Sequence, residues 1–262
     1  MWNILESVSS LFNAIKPRKN KTIICIEGNI SSGKSTTVNE LKEMFKDNKR
    51  VCFLLEPLAI WESIRDSENN NMITKFYGNI RKYSFAFQMM AYISRLNILH
   101  EALKNDEVDV IITERSLFTD KNVFAKMLFD DNMMEDVEHQ IYMKWFNTFI
   151  NDLPDAKMFY IRTEPEIAHE RLLKRNREGE NVELEYLERV HKYHDDWLLN
   201  DPNVDVFDGN VHITSSQRPS QQIAIIIHNL LLSKIAKFTG NFITITDGPA
   251  DYDRDYENGV IV

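Results

Sequence analysis

The chain has 262 residues, of which 43% are apolar, and it carries a formal net charge of −9. This length and apolar content support one large domain or two small ones with a sizeable core. The net negative charge argues against sequence-independent binding of nucleic acid, which needs clustered Lys and Arg. No apolar stretch approaches the roughly 20 residues of an integral membrane helix.

The first 20 residues are predicted to form an N-terminal extension. Their apolar side chains fall near helical spacing and precede a basic cluster that starts at Lys16, which indicates a short helix, packed on the body or frayed. A membrane-surface helix or an organelle presequence is the alternative, but Glu6 and the lack of any Arg before Arg18 weigh against a presequence. The spaced apolar residues are Trp2, Leu5, Val8, Phe12 and Ile15.

The two cysteines, Cys25 and Cys52, each fall inside a predicted buried strand. Such positions fit a reducing compartment and need no redox or metal role. We therefore expect a cytoplasmic protein, with the mitochondrion as the less favoured alternative.

A glycine-rich loop follows the first predicted strand, 22–27. It matches the pattern G-x-x-x-x-G-K-[ST], whose backbone N–H groups cradle the phosphates of a nucleoside triphosphate. Gly28 and Gly33 allow the tight turn. Lys34 neutralises the terminal phosphates, and the Ser35 hydroxyl is placed to ligate Mg²⁺. A flexible surface turn is the alternative, which the preceding strand disfavours. The expected ATP-binding residues of this loop are Gly28, Asn29, Ile30, Ser31, Ser32, Gly33, Lys34, Ser35 and Thr36.

Short β-branched runs then alternate with long amphipathic stretches, as in a parallel sheet with crossover helices. We predict an α/β fold with strands at 22–27, 50–55, 109–113, 157–162 and 204–207. Helices are predicted at about 33–47, 81–104, 118–130, 134–151, 164–176, 183–199 and 217–235. Five parallel strands fit one doubly wound domain, for which we take residues 21–238, and residues 239–262 form an acidic C-terminal tail.

Charged residues follow each predicted strand, where ligands of such sheets bind. Glu56 follows the second strand, Glu114 and Arg115 follow the third, and Asp208 and Asn210 follow the fifth. An arginine-rich helix follows the fourth. Together with the phosphate loop, these groups supply the positioning, charge neutralisation and carboxylate that phosphoryl transfer requires.

At these positions the chain resembles the deoxyribonucleoside kinase family, which includes deoxycytidine, deoxyguanosine and mitochondrial thymidine kinases. The match runs from about residue 21 to 200 and continues more weakly to about 235. It rests on the segments 26–36, 56–61, 83–88, 94–95, 114–120, 171–177 and 184–187. The resemblance implies a P-loop kinase with an arginine-rich lid, which transfers the ATP γ-phosphate to a deoxynucleoside 5′-hydroxyl with Mg²⁺, in nucleotide salvage.

By this resemblance the catalytic residues are Glu56, Arg115 and Lys34. Glu56 is expected to accept the proton of the attacking 5′-hydroxyl, a role that an unactivated alcohol needs in any case. Arg115 is expected near the 5′-oxygen and the migrating phosphoryl group. Glu114, with Ser35, is expected to hold Mg²⁺. The alternatives are a carboxylate that caps a turn, for Glu56, and a surface ion pair, for Glu114 and Arg115.

The predicted lid contributes further ATP-binding residues. Arg171 and Arg175 are four residues apart and share a helical face, with Arg177 just beyond. A solvated charged face is the alternative. Asn176 stands where the family usually has glycine, and the following segment is about one residue shorter.

The nucleobase pocket is expected on the long helix, where Gln88, Tyr92 and Arg95 form a stripe at i, i+4 and i+7. The Gln88 amide can both donate to and accept from a base edge. Tyr92 is bulkier than the usual residue and is expected to narrow the pocket. The remaining expected substrate-binding residues are Trp61, Tyr77, Phe87, Asp120, Phe124 and Glu180, with ordinary packing, or Glu178 in place of Glu180, as alternatives.

Arg95 and Asp120 carry the expectation about substrate preference. In family members that accept deoxycytidine and purine deoxynucleosides, such a pair lies beside the base. The resemblance therefore implies that these nucleosides are preferred over thymidine. A nucleoside monophosphate kinase is the enzymatic rival, and a non-catalytic nucleotide-binding subunit is the rival of another class.

The family forms homodimers through helices on one flank of the sheet, which implies a second copy of the chain as partner. The helices at 118–130 and 134–151 are expected to supply the dimer face. Their large apolar residues are Phe124, Leu128, Phe129, Ile141, Trp145 and Phe149.

Overall fold

A computed structural model describes residues 21–151, 153–177, 180, 182–211 and 218–239, with side chains described to residue 232. The predicted N-terminal helix and the acidic tail lie outside these residues. Two compact units make up the chain, Met1–Ala224 and Ile225–Val262. The described part of the second unit is helix from residue 225 to 239.

Five parallel strands form the centre of the first unit, in the order β2-β3-β1-β4-β5. They are β1 (Thr22–Glu27), β2 (Val51–Leu54), β3 (Val110–Glu114), β4 (Ala156–Arg162) and β5 (Asp205–Asp208). β1 and β3 are buried almost throughout, because central strands of a parallel sheet are covered on both faces. The α/β prediction with five parallel strands is confirmed, and each strand lies within about one residue of its predicted limits.

Helices connect the strands of the sheet, and one more helix follows the last strand. They are α1 (Lys34–Met44), α2 (Leu58–Ser63), α3 (Met72–Gly78), α4 (Ile80–Lys104), α5 (Leu117–Thr119), α6 (Lys126–Asp130), α7 (Asp136–Ile150), α8 (Pro165–Arg175), α9 (Leu184–Leu198) and α10 (Pro219–Thr239). A π-helical segment, Asp120–Ala125, joins α5 to α6. The sequence analysis missed α2 and α3 and did not foresee the π turn.

The largest hydrophobic cluster of the described residues lies between the sheet and the helices α4 and α7. Ile23, Cys25 and Ile111 contribute the sheet side, while Leu99 and Phe146 come from the helices. Cys25 is buried and Cys52 half-buried, and both are free.

The register of the sheet brings the functional segments to one edge. Ile26 pairs with Glu114 in neighbouring β3, and Glu27 pairs with Tyr160 in neighbouring β4. The phosphate loop therefore leaves β1 beside the end of β3, where Glu114 and Arg115 lie. This edge is where ligands of doubly wound sheets bind.

Candidate active site

A cavity of about 840 Å³ opens at the carboxyl edge of the sheet. The phosphate loop and Arg171 line one end, and α3, α4 and the π-helical segment line the other. The volume lies within the range of sites that bury small organic ligands. Nearly all the predicted site residues line this cavity: Ile30, Ser31, Ser32, Gly33, Lys34, Ser35, Thr36, Glu56, Trp61, Tyr77, Phe87, Gln88, Arg95, Glu114, Arg115, Asp120, Phe124, Arg171, Arg175, Arg177, Glu180 and Asn210.

Three of the predicted ATP-binding residues do not line the cavity. Gly28 and Asn29 serve through their backbone, since the Gly28 carbonyl accepts from Arg115 and the Asn29 carbonyl accepts from Lys34. Asp208 is exposed, and its carboxylate accepts from the backbone N–H of Asn210. The Asn210 side chain in turn accepts from the backbone N–H of Glu164.

The phosphate loop needs glycine at two positions. At Gly28 the backbone has φ of 149°, and an added Cβ would lie 2.6 Å from both the Ile161 carbonyl oxygen and the Ser32 hydroxyl oxygen. Gly33 has φ of 101° and begins α1. A side chain at either position would be strained, so the loop can take this cradle shape only with glycine there.

Lys34 is buried at the base of the loop, and its Nζ donates to the Asn29 carbonyl at 2.6 Å. Burial, together with the positive charge of Arg115, lowers the pKa of Lys34 to about 7. An anionic phosphate beside the ammonium would restore its charge, because a nearby opposite charge favours the ionised form.

Ser35 and Glu114 meet where a phosphate-bound metal would lie. The Ser35 hydroxyl donates to Oε1 of Glu114 at 2.5 Å. A hydroxyl and a carboxylate are oxygen ligands of the kind that Mg²⁺ prefers beside nucleotide phosphates, so this pair fits the ion. Within the described residues no group of three or more His, Cys, Asp or Glu forms a separate metal site.

Glu56 lies between two arginines. Its Oε1 accepts from Arg95 Nη2 at 2.6 Å and from Arg115 Nε at 2.8 Å. Burial alone would raise the pKa of Glu56, but Arg115, Arg95 and Lys34 outweigh it and lower the pKa to about 2. The carboxylate is therefore ionised at any physiological pH and can accept a hydrogen bond from a hydroxyl.

Arg115 is held in an unusual backbone conformation, with φ of 64°. Its Nη1 donates to the Gly28 carbonyl at 2.5 Å, and its guanidinium lies 5.1 Å from the centre of the Phe124 ring. A bulky residue at positive φ is strained, and such strain is found at functional sites. The conformation directs the guanidinium to Glu56 and the phosphate loop together.

The end of the cavity that was predicted to bind the nucleobase, called the nucleobase end below, combines rings with polar groups. Trp61 contacts Phe87 edge to face and donates from Nε1 to Ser94 at 2.9 Å, and the Arg95 guanidinium lies 5.1 Å from the Trp61 ring centre. Arg95 Nη1 donates to Asp120 Oδ1. Three buried atoms here, Gln88 Oε1, Arg95 Nε and Asp120 Oδ2, have no hydrogen-bond partner among the described residues. Buried polar atoms without a partner are rare, so each of them requires an explanation.

Asp120 is almost completely buried in the π-helical segment. Burial raises the pKa of Asp120 to about 6, and Glu56 adds to the increase, although Arg95 and Arg115 oppose it. Asp120 is thus less firmly ionised than Glu56, even though both carboxylates contact Arg95.

Tyr77 and Glu180, the residues predicted for the sugar subsite, both line the cavity. Tyr77 contacts Tyr186 edge to face at 6.5 Å between ring centres. Burial raises the pKa of Tyr77, and the charge of Glu180 adds to this. Glu180 accepts from Arg175 Nη2 at 2.5 Å. Glu178, the alternative to Glu180, lies outside the described residues.

Arg171 holds the phosphate loop to the end of β5. Its Nη1 donates to the Gly209 carbonyl at 2.9 Å and makes a longer contact with the Ser32 carbonyl at 3.4 Å. Asn176 ends α8 with φ of 46°, so it adopts the left-handed conformation that glycine adopts most easily.

The prediction that Tyr92 faces the ligand is wrong. The stripe of Gln88, Tyr92 and Arg95 was expected to face the ligand, but only Gln88 and Arg95 line the cavity. Tyr92 is fully buried on the side of α4 that packs on α7, where it contacts Tyr142 and Phe146. It therefore does not narrow the pocket.

Several residues of the expected dimer face are not available on the surface of the subunit. Phe124 lines the cavity, and Leu128 and Phe149 are buried within the subunit. Ile141 is 41% exposed, and Val137, one turn earlier on α7, is 58% exposed.

Sequence reasoning missed several residues that line the cavity. Ile73 and Phe76 lie on α3, which Asn71 caps by accepting from the Thr74 backbone N–H at 2.8 Å. That capping asparagine was the available signal. Tyr186 and Arg218 carried no signal of their own in the sequence.

A family model for deoxynucleoside kinase matches residues 24–232. The deoxycytidine kinase of Bos taurus is 34% identical over 197 residues, which cover 67% of this chain and 75% of that protein. A probable deoxycytidine kinase of fowlpox virus is 35% identical over 179 residues, or 67% of this chain and 71% of that protein. The mitochondrial thymidine kinase 2 of Homo sapiens is 31% identical over 185 residues, which cover 70% of this chain and 66% of that protein. No helix among the described residues is long and apolar enough to cross a membrane.

Proposed function

The chain belongs to the deoxynucleoside kinase family, and from this membership we propose that it transfers the γ-phosphate of ATP to the 5′-hydroxyl of a deoxynucleoside, as a step of nucleotide salvage. We further propose that deoxycytidine or a purine deoxynucleoside is preferred over thymidine. The observation that carries the proposal is Glu56, an ionised carboxylate that lines the cavity and is held by Arg95 and Arg115.

Glu56 is the proposed proton acceptor. A bound nucleoside with its base at Gln88 would bring its 5′-hydroxyl toward Glu56. As the oxygen attacks the γ-phosphorus and the bond to the leaving oxygen of ADP breaks, the hydroxyl proton passes to Glu56. The low pKa of Glu56, about 2, suits a loose transition state, in which proton transfer lags behind phosphoryl transfer and the base mainly orients the alcohol.

Four cations that line the cavity would supply the charge stabilisation. Lys34 bonds the backbone of the phosphate loop, Arg115 bridges the Gly28 carbonyl and Glu56, and Arg175 and Arg177 also line the cavity. Charge that develops on the phosphoryl oxygens would thus meet groups already oriented for it. Ser35 and Glu114 would hold Mg²⁺, which neutralises phosphate charge when bound.

The proposed substrate preference rests on the ion pair of Arg95 and Asp120. Arg95 Nη1 already donates to Asp120 Oδ1, and the unpartnered oxygen of Gln88 lies at the same end of the cavity. A base that fills these free hydrogen-bonding positions gains more than one that leaves them empty. Because the similar proteins include both deoxycytidine kinases and a thymidine kinase, the preference is the finer part of the proposal.

Two further proposals concern the setting of the enzyme. A second copy of the chain is the proposed partner, through the exposed apolar residues Val137 and Ile141 of α7, and sedimentation as a monomer would contradict it. A cytoplasmic location agrees with the two free cysteines, and fractionation of cells that express the protein tests it.

The deciding experiment presents the purified protein with ATP, Mg²⁺ and one acceptor at a time. We expect ADP release with deoxycytidine, deoxyadenosine or deoxyguanosine and little with thymidine. ADP release with deoxycytidine monophosphate alone would identify the rival nucleoside monophosphate kinase. Nucleotide binding without turnover on any acceptor would identify a binding subunit.

A further inference from the structure

A second layer of polar groups lies behind the ion pair of Arg95 and Asp120. α7 contributes Tyr142 and α4 contributes Tyr92, whose ring centres lie 5.9 Å apart. Both rings are fully buried, and neither lines the cavity. These tyrosines therefore pack together outside the cavity, and Tyr92 lies about one turn before Arg95 on α4.

Two buried oxygens in this layer lack partners. Asp120 Oδ2 and the Tyr142 hydroxyl have no hydrogen-bond partner among the residues that the structure describes. The Tyr92 hydroxyl differs, because it donates to the Trp145 carbonyl at 3.4 Å. A buried polar atom left without a partner is costly and rare, so one such pair of oxygens in the same layer requires an explanation.

The two oxygens belong to elements that pack against each other, because α7, which carries Tyr142, contacts the π-helical segment that carries Asp120. Burial raises the pKa of Tyr142, and the negative charge of Asp120 is the next largest cause of the increase. No other carboxylate acts on this phenol. A phenol beside a carboxylate is a donor facing an acceptor, and where the direct bond is not made, a single buried water often completes it.

We propose that Tyr142 is a positioning residue for nucleobase selection, whose hydroxyl holds the second oxygen of Asp120 through one buried water. This inference rests on the proposed function. Arg95 holds Oδ1, and the water would hold Oδ2. Because both oxygens of Asp120 would then be bonded, the plane of its carboxylate would be fixed. The Arg95 guanidinium, which the base would contact, would be fixed with it.

The groups that face Asp120 come from four elements. Arg95 and Tyr92 lie on α4, Glu56 follows β2, Arg115 follows β3, and Tyr142 lies on α7. Among these groups, two donors have no partner in the described residues, Arg95 Nε and the Tyr142 hydroxyl. Of the two, only Tyr142 lies outside the cavity. Its loss removes a hydrogen bond to the ionised carboxylate, which raises the pKa of Asp120 further. Nucleoside binding should then weaken at a higher pH than in the wild type.

The test compares Tyr142→Phe with Tyr92→Phe, a change of the same atoms in the same aromatic cluster. We expect Tyr142→Phe to raise KM for deoxycytidine about tenfold, the size of a hydrogen bond to a charged group, with kcat within about twofold. The rise of KM on acidification should begin at higher pH. Tyr92→Phe should leave both unchanged. In an Asp120→Asn background, Tyr142→Phe should add less than about twofold to KM, because its target is gone.

A Tyr142→Phe variant that behaves like Tyr92→Phe, or one whose full effect persists with Asp120→Asn, would overturn the inference. If the wild type phosphorylates no deoxynucleoside, the proposed function fails first, and that outcome is separate. The inference then rests on a crystal structure of the wild type, which should show a water within hydrogen-bond distance of Asp120 Oδ2 and the Tyr142 hydroxyl. An empty gap, or a direct contact of the two oxygens, would refute it.

Discussion

The two ends of the cavity differ in which polar atoms have partners. At the phosphate end, three cations have partners within the chain: Lys34 bonds the Asn29 carbonyl, Arg171 bonds Gly209, and Arg115 bonds Gly28 and Glu56. The buried atoms of the phosphate loop that lack a partner among the described residues are the neutral hydroxyls of Ser31 and Ser32. At the nucleobase end, two side chains that we propose to contact the base, Gln88 and Arg95, each have a buried atom without a partner among the described residues. The phosphate end is thus preorganised, whereas the nucleobase end awaits its ligand.

This difference predicts two kinds of mutational effect. A preorganised charge array acts on the transferred phosphoryl group, which is the same for every acceptor, so damage there should lower kcat for all nucleosides alike. Free hydrogen-bonding atoms act on the variable part of the substrate. Damage there should change the ratios between nucleosides.

Glu56→Gln should have the largest effect. The amide keeps the size of the side chain but is a poor proton acceptor, so kcat should fall about 10²–10⁴-fold. The fall should be equal for all accepted deoxynucleosides, and nucleoside affinity should change little. Steady-state kinetics and calorimetric binding measure the two quantities.

Glu43→Gln is the matched control, because Glu43 is an exposed carboxylate on α1 outside the cavity, and it should leave kcat unchanged. If Glu56→Gln keeps the wild-type kcat, Glu56 is not the proton acceptor of the reaction. An unequal fall between nucleosides would show that the two ends are not separate.

Arg95→Met combined with Asp120→Ala should have the next largest effect. Removing both partners avoids leaving one buried charge unpaired, which would confuse the result. The ratio of kcat/KM for thymidine to that for deoxycytidine should rise at least tenfold. Because Arg95 also donates to Glu56, some loss of kcat is expected with both substrates, but an unchanged ratio would contradict the assigned geometry.

The two ends also differ in how much the sequence revealed. The phosphate end could be predicted almost completely, because Gly28, Gly33, Lys34 and Ser35 form one contiguous motif whose geometry is local. The strands were predicted for a similar reason, since a run such as Ile23–Ile26 is apolar enough to require burial on both faces. Strand order was not predicted, because it depends on contacts distant in sequence.

The nucleobase end was predicted mainly through the family resemblance, and its errors have physical causes. Tyr92 shares a helical face with Gln88 and Arg95 in an ideal projection, but α4 lies between the cavity and α7, and Tyr92 turns to α7. Helices α2 and α3 are too short to show periodicity. The π turn at Asp120 depends on tertiary packing, which no local pattern reports.

Acidification should separate the two ends within one protein. Asp120 has a pKa of about 6, since burial raises it, whereas Glu56 has a pKa of about 2. As pH falls from 7 to 5, Asp120 becomes protonated and its pair with Arg95 weakens, so KM for deoxycytidine should rise about tenfold. Glu56 remains ionised over the same range.

The measurement is a pH series of KM and of kcat at saturating nucleoside. The Asp120→Asn variant is the control, and its KM should not depend on pH between 5 and 7. A fall of kcat that follows the rise of KM with the same midpoint would mean that Glu56 and Asp120 titrate together, which would break the distinction between the two ends.

The smallest expected effect concerns Lys34, the one cation of the phosphate loop that titrates near neutrality. Burial and the charge of Arg115 lower its pKa to about 7, so above pH 7 the free protein holds it mostly neutral. Bound phosphate favours the charged form, and ATP binding should then take up a proton. The resulting loss of ATP affinity between pH 6 and 7.5 is about fourfold.

The control is Lys34→Arg, whose guanidinium stays charged. It isolates the contribution of Lys34, because the titration of ATP itself is common to both proteins. Calorimetry in two buffers of different ionisation enthalpy should detect proton uptake at pH 8 in the wild type beyond that of Lys34→Arg. Equal uptake would mean that Lys34 is already charged before phosphate arrives, and that the phosphate end is preorganised in charge as well as in geometry.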